Sequence, residues 1–253
     1  MKRCFAFGLG IAALVVSSSQ CFAQEKLTPY RPIVYAEPYS GTRVTLTYEK
    51  LADGTQIEHR REEFEARNSQ GWQVYRTTIE NKDPLTRDGH KYTWTIIWNA
   101  AAHTRTEWCD CKKIAYRKQF GEPPTPRPKP EPKLNQRGGE DPGFTAYLGP
   151  ATDRLKFHVE HIEPQMIEGV ETTGTKAVRV VKAGLDGNDH DLTTTIISWY
   201  SPRLQTTMST IIDDPVKGLT KTSLEHVSLA DPDPSLFIVP SDREIQPFVA
   251  LPR

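Results

Sequence analysis

The chain has 253 residues, of which 25% are charged and 37% hydrophobic, and its 32 basic residues balance 32 acidic ones. This neutral balance excludes the basic surface that nucleic acid or an anionic membrane would select, so neither is an expected partner. One domain with a long insertion accommodates the length, because β-rich domains often run to about 200–250 residues.

The first 23 residues predict a cleavable secretory signal. Lys2 and Arg3 form a short basic start, an almost uncharged apolar run extends from Phe5 to Val16, and Ala23 completes a small-x-small cleavage site. The apolar run is roughly a dozen residues long, whereas a membrane-spanning helix needs about 20. We therefore expect cleavage after Ala23 and an exported protein, periplasmic or extracellular, that does not span a membrane. Because Lys2 and Arg3 leave with the signal, the mature chain keeps 30 basic and 32 acidic residues, or −2.

Four cysteines occur, and two of them, Cys4 and Cys21, belong to the predicted signal. Lipid attachment at Cys21 is an alternative to simple cleavage, but residues 18–20 lack the apolar and small side chains that a lipidation signal places there. The exported chain would keep Cys109 and Cys111, too few cysteines for a fold built on disulfides.

The mature chain is predicted to be one β domain in two parts, residues 24–120 and 144–253. Between them, residues 121–143 contain seven prolines interleaved with Lys, Arg and Glu. Such a composition cannot bury a core and predicts a disordered, extended loop or linker. An inert insertion is one interpretation, and docking of a partner is the other, because proline-rich segments lose little conformational entropy on binding.

Alternating patterns predict the strands of the first part. Residues 44–48 alternate apolar and polar side chains, and Asp53-Gly54 supplies the positive-φ turn of a hairpin. Residues 57–67 have helical propensity, but the hairpin before them favours a returning strand. Residues 72–80 and 92–99 are clearer strands.

An aromatic stripe marks the strand predicted over residues 92–99. One of its faces would carry Tyr92, Trp94, Ile96 and Trp98. Because large aromatic side chains each remove about 150–250 Å² from water, the stripe either anchors the core or lines a cavity. We favour the core.

The second part continues the same pattern after the insertion. Turn residues separate further strands, which predicts an antiparallel meander over residues 155–159, 177–182, 192–200, 204–212 and 219–229. One helical turn is expected at residues 232–237, where Asp233 can cap and Pro234 suits the first helical position. The fold class is therefore mainly β, with one or two short helices.

Cys109-Asp110-Cys111 is the most unusual local feature. Its spacing is too short for the redox motif with two intervening residues. In a regular strand, residues two apart have Cα atoms about 6.5–7 Å apart, near the upper limit for a disulfide, so a bulge or turn would be needed. Three interpretations stay open: a local disulfide, a soft-metal site completed by a distant histidine, and free thiols.

Other chemical motifs do not lead to a site. A Gly-x-Ser-x-Gly elbow and a His-Glu-x-x-His helix do not occur in the sequence, and residues 169–174 predict a turn and not a phosphate loop. His158 and His161 would point to opposite faces of a strand, which argues against a shared metal. Asp213-Asp214 and Glu62-Glu63 fit a turn and a charged surface run. We predict no catalytic, cofactor-binding or metal-binding residue.

Several short segments together resemble a family of bacterial exported β-rich proteins of unknown function. They follow one another along the mature chain as Ala52 to Thr55, Ser69 to Gly71, Ile167 to Val170, Trp199 to Pro202, and Asp233 to Pro240. More distantly, the meander with its Trp-x-x-Pro strand start is similar to the lipoprotein-carrier type of fold. That resemblance implies a curved, open half-barrel whose concave face holds acyl chains. The proline-rich insertion and the cysteine pair are departures from the pattern.

Three functional hypotheses follow. The first is a non-enzymatic exported protein that binds a lipid or other apolar small molecule on a concave sheet, with Trp94, Trp98, Phe157 and Trp199 as candidate contacts. These residues suit a core equally well. The second is an envelope interaction module in which sheet edges or residues 121–143 dock another protein. The third is an enzyme whose site is assembled from residues scattered along the sequence.

Overall fold

The computed structural model describes residues 34, 36–80, 91–99, 101–120 and 155–248. The predicted signal, its cleavage site after Ala23 and the proline-rich residues 121–143 lie outside these ranges, so they stay predictions. Within the described residues, no helix has the length and apolar character that crossing a membrane requires.

The described residues form one sheet of twelve strands. In chain order these are β1 Tyr39–Lys50, β2 Gln56–Arg67, β3 Gln73–Glu80, β4 Lys91–Asn99, β5 Thr104–Cys109, β6 Ile114–Gln119, β7 Leu155–Ile167, β8 Val170–Val181, β9 Leu192–Ser201, β10 Thr206–Asp214, β11 Gly218–Ser228 and β12 Glu244–Pro247. One 3-10 helix, Pro234–Phe237, follows β11, and its first turn is capped by Asp233, which accepts a 2.8 Å hydrogen bond from the Ser235 N–H.

The sheet is built from two meanders that meet at a seam. Strands β1 to β6 pair in sequence, strands β7 to β11 pair in sequence, and β1 pairs antiparallel with β11 between them. The late strand β12 returns to pair in parallel with β6. Because β12 and β7 are the outermost strands of the described sheet, it stays open. The predicted class, a mainly β open half-barrel, is confirmed.

The first hairpin forms where the sequence predicts it. Gly54 adopts φ +89°, and the Thr55 N–H donates to the Asp53 carboxylate at 2.9 Å. This turn sends the chain back along β1, so residues 57–67 form a strand in spite of their helical propensity. The Gly169 turn between β7 and β8 is also present, whereas Gly174 lies inside β8.

The two faces of the sheet are distinguished by neighbouring residues of β1. Arg43 is opposite Glu63 of β2 and Leu224 of β11, whereas Val44 is opposite Glu62 and Ser223. Since side chains alternate along a strand, these pairs define an Arg43 face and a Val44 face across the whole sheet.

The sheet curves towards its Arg43 face. Tyr39 and Leu224, both on this face, belong to one buried cluster with Leu204. Arg67 of β2 lies on the same face and donates to the Leu204 backbone oxygen at 2.5 Å, in the turn before β10. Strands β1 and β11 separate β2 from β10, so a flat sheet would hold them about 14 Å apart at roughly 4.8 Å per strand. This hydrogen bond requires the strands to coil over this side, and the Arg43 face is therefore the concave one.

A second core covers the convex Val44 face of the first meander. Ala66, Val74, Ile97, Trp108 and Ala115 form it, and Phe237 of the 3-10 helix packs on them at 5% exposure. Leu236 and Val239 support the same contact. The segment after β11 therefore serves as the cover of this face.

Candidate functional site

The aromatic stripe of β4 lies on the concave face. Tyr92, Trp94, Ile96 and Trp98 pair with Ile79, Thr77, Tyr75 and Gln73 of β3, and all four are half-buried. The fully buried residues of β4 are Thr95 and Ile97, each 4% exposed, on the convex face. The core of this strand thus uses the opposite face from the one we favoured, and the stripe keeps accessible surface.

Trp98 is enclosed by two neighbours. Its indole stacks on the Phe120 ring with centroids 4.9 Å apart and an interplanar angle of 6°. The Arg105 guanidinium lies over the same indole, 5.4 Å from its centroid. Phe120 and Arg105 therefore hold the Trp98 side chain in place. Trp94, nearer the other end of β4, lines an open cleft.

That cleft forms where β2 and β3 separate. The two strands pair from Arg67 opposite Gln73 to Glu63 opposite Thr77, and their outer halves then part. The space between them has a volume of about 800 Å³. Side chains of both faces line it, including Trp94 and Ile96 from the concave face and Phe64 from the convex face. The cleft therefore passes from one face of the sheet to the other, at the solvent-exposed ends of β2 and β3.

Five charged side chains line the cleft and leave it slightly positive. Arg60 pairs with Glu62 at 2.8 Å, and Arg61 lies 3.5 Å from Glu63, whose carboxylate also accepts a hydrogen bond from the Thr77 hydroxyl. Arg76 is the third cation. Three arginines against two glutamates give a local charge of +1.

A buried polar cluster lies next to the cleft on the concave face. Arg43 makes two hydrogen bonds to Glu65, and the Tyr39 hydroxyl donates to the same carboxylate at 2.9 Å. Arg67, 2% exposed, donates to the backbone oxygens of Glu37 and Leu204. Burial and the Glu65 charge raise the pKa of Tyr39, while burial lowers the pKa of Arg67. These groups bind one another, which makes the cluster structural.

The second meander gives the concave face a different lining. A row of hydroxyl side chains crosses five adjacent strands in register: Thr45, Thr222, Thr210, Ser198 and Thr175. The hydroxyl oxygens of Thr45 and Thr222 are 3.3 Å apart. The concave face therefore has an aromatic zone on β3 and β4 and a hydroxyl zone on β1 and β8 to β11.

The four predicted contact residues do not converge. Trp94 and Trp98 share the concave face, but Trp199 pairs with Gly174 and Ser209 and lies on the convex face, opposite to its neighbour Ser198. Phe157 is opposite Arg179 in the backbone register, and its side chain lies outside the described part of the structure. The cleft arginines and Phe64 were missed because nothing in a charged strand sequence shows where two strands part.

The cysteine pair lies in the turn between β5 and β6. Cys109 ends β5 at 3% exposure, and Cys111 is exposed in the turn. Their Cα atoms are 5.2 Å apart, within the range of disulfides, and the Cys111 N–H lies 3.1 Å from the Cys109 sulfur. In a regular strand the two Cα atoms would be about as far apart as a disulfide allows, but the turn brings them closer. In the described residues, no group of three His, Cys, Asp or Glu side chains has metal-binding geometry.

No family model matches the chain, and no curated protein matches it significantly. Among solved structures it is similar to MucB in the Pseudomonas aeruginosa MucA/MucB complex, with 9% identity and a TM-score of 0.30 over 84% of this chain and 59% of that one. A LolA superfamily protein from Nitrosomonas europaea has 10% identity and a TM-score of 0.29, covering 81% and 92% of the two chains.

A β-barrel-like protein of unknown function from Brucella abortus has 10% identity and a TM-score of 0.36, covering 78% of this chain and all of that one. The chain spans 55% to 60% of the length of the MucB chains it matches.

Proposed function

We propose that this is an exported, non-catalytic binding protein that holds the apolar part of a ligand in the cleft beside the aromatic zone. One observation carries the proposal. Trp94 and Ile96 stay half-exposed along a cleft of about 800 Å³, although the next residues of the same strand, Thr95 and Ile97, are buried in the core. Covering apolar side chains with a ligand removes their surface from water, which favours binding by about 25 cal/mol per Å².

The size and charge of the cleft define a ligand class. Ligand sites typically measure about 300–1,000 Å³ and combine apolar walls with a few polar groups. Here Trp94, Ile96 and Phe64 supply the walls, and Arg76 adds a positive charge at the same cleft. An amphiphile with an acyl chain and an anionic headgroup fits this combination.

Native mass spectrometry of the protein purified from the exported fraction tests the proposal. We expect a lipid-sized adduct on the wild type and its loss in Ile96→Glu, because a carboxylate in the cleft opposes an apolar chain and an anionic headgroup. Val216→Glu is the matched control, since Val216 is 74% exposed in the turn after β10, far along the chain from the cleft strands. A clean apo mass for the wild type under gentle conditions would contradict the proposal.

A second candidate function is favoured by the free side of β2. Its outer half, residues 56–62, pairs with β1, and within the described residues no strand pairs with its other side. Alternate residues of such a strand direct N–H and C=O groups outwards, which suits addition of an extended peptide. In the same experiment this function gives a peptide or protein mass in place of a lipid mass. Deleting residues 121–143 then separates docking on β2 from docking on the proline-rich segment.

A further inference from the structure

We propose that Cys109 and Cys111 form a thiol–disulfide exchange site for thiol-bearing proteins or small thiols. In this site Cys111 is the sulfur that an incoming thiol attacks, and Cys109 is the sulfur that leaves. The proposal is independent of ligand binding in the cleft. It rests on the exposure of the two cysteines and on the contacts that surround them.

The two cysteines differ sharply in accessibility. Cys109 is 3% exposed at the end of β5, where it is opposite Trp94 of β4. Cys111 lies two residues later between Asp110 and Lys112, in a stretch where all three residues are exposed. Exchange requires an attacking thiolate to approach one sulfur in line with the bond that breaks. A partner therefore reaches Cys111 and not Cys109.

The surroundings of Cys109 favour it as a leaving thiolate. The Cys111 N–H lies 3.1 Å from the Cys109 sulfur. Lys112 and Lys113 follow in the turn, where Asp242 pairs with Lys113, and Arg243 donates to the Cys109 carbonyl oxygen at 2.8 Å. The one acidic residue of the turn, Asp110, already accepts a hydrogen bond from the Thr93 N–H at 2.9 Å. A nearby N–H donor and positive charge stabilise a departing thiolate, which makes Cys109 the better leaving group.

The turn is held in place from the side of β12. Arg243 donates to the carbonyl oxygens of both Cys109 and Lys112, and Lys113 forms an ion pair with Asp242. The Glu244 N–H also donates to the Lys113 oxygen at 2.9 Å. These contacts do not involve the sulfurs, so they persist when the pair is reduced. The two thiols then stay close enough to close the bond again.

A partner with two thiols can reduce the Cys109–Cys111 disulfide completely and become a disulfide itself. Its thiolate attacks the Cys111 sulfur, the Cys109–Cys111 bond breaks with its electron pair going to Cys109, and a mixed disulfide forms at Cys111. The second thiolate of the partner then displaces Cys111. The partner ends as a disulfide, and its two thiol protons end on Cys109 and Cys111. The reverse sequence oxidises the pair and reduces a partner disulfide.

Equilibration with mixtures of reduced and oxidised glutathione tests this site on the exported protein. After acid quenching and alkylation, we expect the intact mass to show either zero or two alkylated cysteines. The change from disulfide to dithiol should occur within the range of glutathione ratios used. In Cys109→Ser, glutathione should join Cys111 at least about tenfold faster than it joins Cys109 in Cys111→Ser. Circular dichroism of both variants checks that they fold.

A second readout needs no variant. Acid quenching of the wild type during reduction should trap glutathione on Cys111, and fragmentation of the peptide that contains both cysteines locates it. Trapping mainly on Cys109, equal rates in the two serine variants, or a pair that stays wholly oxidised or wholly free at every glutathione ratio would overturn the proposal.

Discussion

Arg43 and Glu65 form a two-pronged ion pair on the concave side of β1 and β2, with Nε to Oε2 at 2.7 Å and Nη2 to Oε1 at 2.6 Å. The Glu65 carboxylate also accepts from Tyr39, and Arg67 is buried beside it. Burial alone would lower the pKa of Arg43, but the hydrogen bond and charge of Glu65, with smaller contributions from Tyr39 and Tyr75, together raise it. Two arginines against one carboxylate leave this buried region with a net charge of +1, so Glu65 is its single counterion.

Glu65→Gln should therefore destabilise the fold strongly. The amide keeps the shape of the side chain but removes the charge, so Arg43 loses its counterion while it stays largely buried. Breaking one partner of a buried pair typically costs about 3–5 kcal/mol. Urea unfolding followed by circular dichroism measures the free energy of unfolding.

Glu62→Gln is the control for this change, because Glu62 lies on the same strand and pairs with Arg60 at the surface, where their side chains are 55% and 49% exposed. Surface pairs contribute little, so we expect a change within about 1 kcal/mol. An equal decrease in the free energy of unfolding in both variants would show that the buried pair stabilises the fold no more than the surface pair.

Asp214 should make stability depend on pH in the acid range. Burial would raise its pKa, but the N–H groups of Lys217 and Val216, the Thr194 hydroxyl and Arg179 together hold the pKa of this carboxyl below its usual value. A lowered pKa in the folded state means that the unfolded chain takes up the proton first as pH falls. The stabilisation is therefore present above about pH 4 and is lost below it.

Asp214→Asn measures this contribution directly. The wild type should be more stable than the variant at pH 7, and the difference in unfolding free energy should shrink as pH is lowered from about 4 to about 2. Urea denaturation at several pH values gives this difference. A gap that stays constant across this range would contradict the assignment.

Phe237 should be the main anchor of the cover on the convex face. It is 5% exposed in the core with Val74, Ile97 and Trp108. Truncating a buried phenylalanine costs about 3–5 kcal/mol, so Phe237→Ala should lower the thermal midpoint markedly. The next residue, Ile238, is 63% exposed, and Ile238→Ala should change the midpoint little. If both variants lose the same stability, the 3-10 helix is not anchored through Phe237.

Gly174 should not tolerate a side chain. A Cβ placed there would lie 2.6 Å from Ile162 Cγ1 and 3.0 Å from the Glu163 oxygen, because β7 approaches β8 closely at its bulge. Gly174→Ala should cost about 1–3 kcal/mol through overpacking, measured by urea unfolding. Thr173→Ala, at an exposed position of the same strand, serves as its control. A neutral Gly174→Ala would show that the bulge relaxes without cost.

Periodicity predicts the strands well because each hairpin is a local event. Val44 to Tyr48 and the Asp53-Gly54 turn lie within one hairpin, and both are present in β1, β2 and their turn. Strands β5, β6 and β12 were not predicted. Thr104 to Cys109 interleaves charged and polar residues with one tryptophan, and Glu244–Pro247 is four residues long, so neither has a clear alternating pattern.

The site was less predictable than the strands because it depends on distant pairing. The sequence groups Trp94 with Trp98 correctly, since both belong to one strand. It could not show that Thr95 and Ile97 take the core side, which is decided by the cover from Phe237 more than a hundred residues later. Nor could it separate Trp199 from the others, because its face is set by the register of β9 against β8 and β10.

The seam between β1 and β11 has a consequence for how the chain is made. During synthesis β1 can pair with β2 at once, but its other edge waits for Gly218–Ser228, which follow all the strands from β2 to β10. Until then, the first meander carries a bare strand edge that can pair with any other exposed strand. Keeping the newly made chain from associating with itself is therefore a task for the cell until Gly218–Ser228 have emerged.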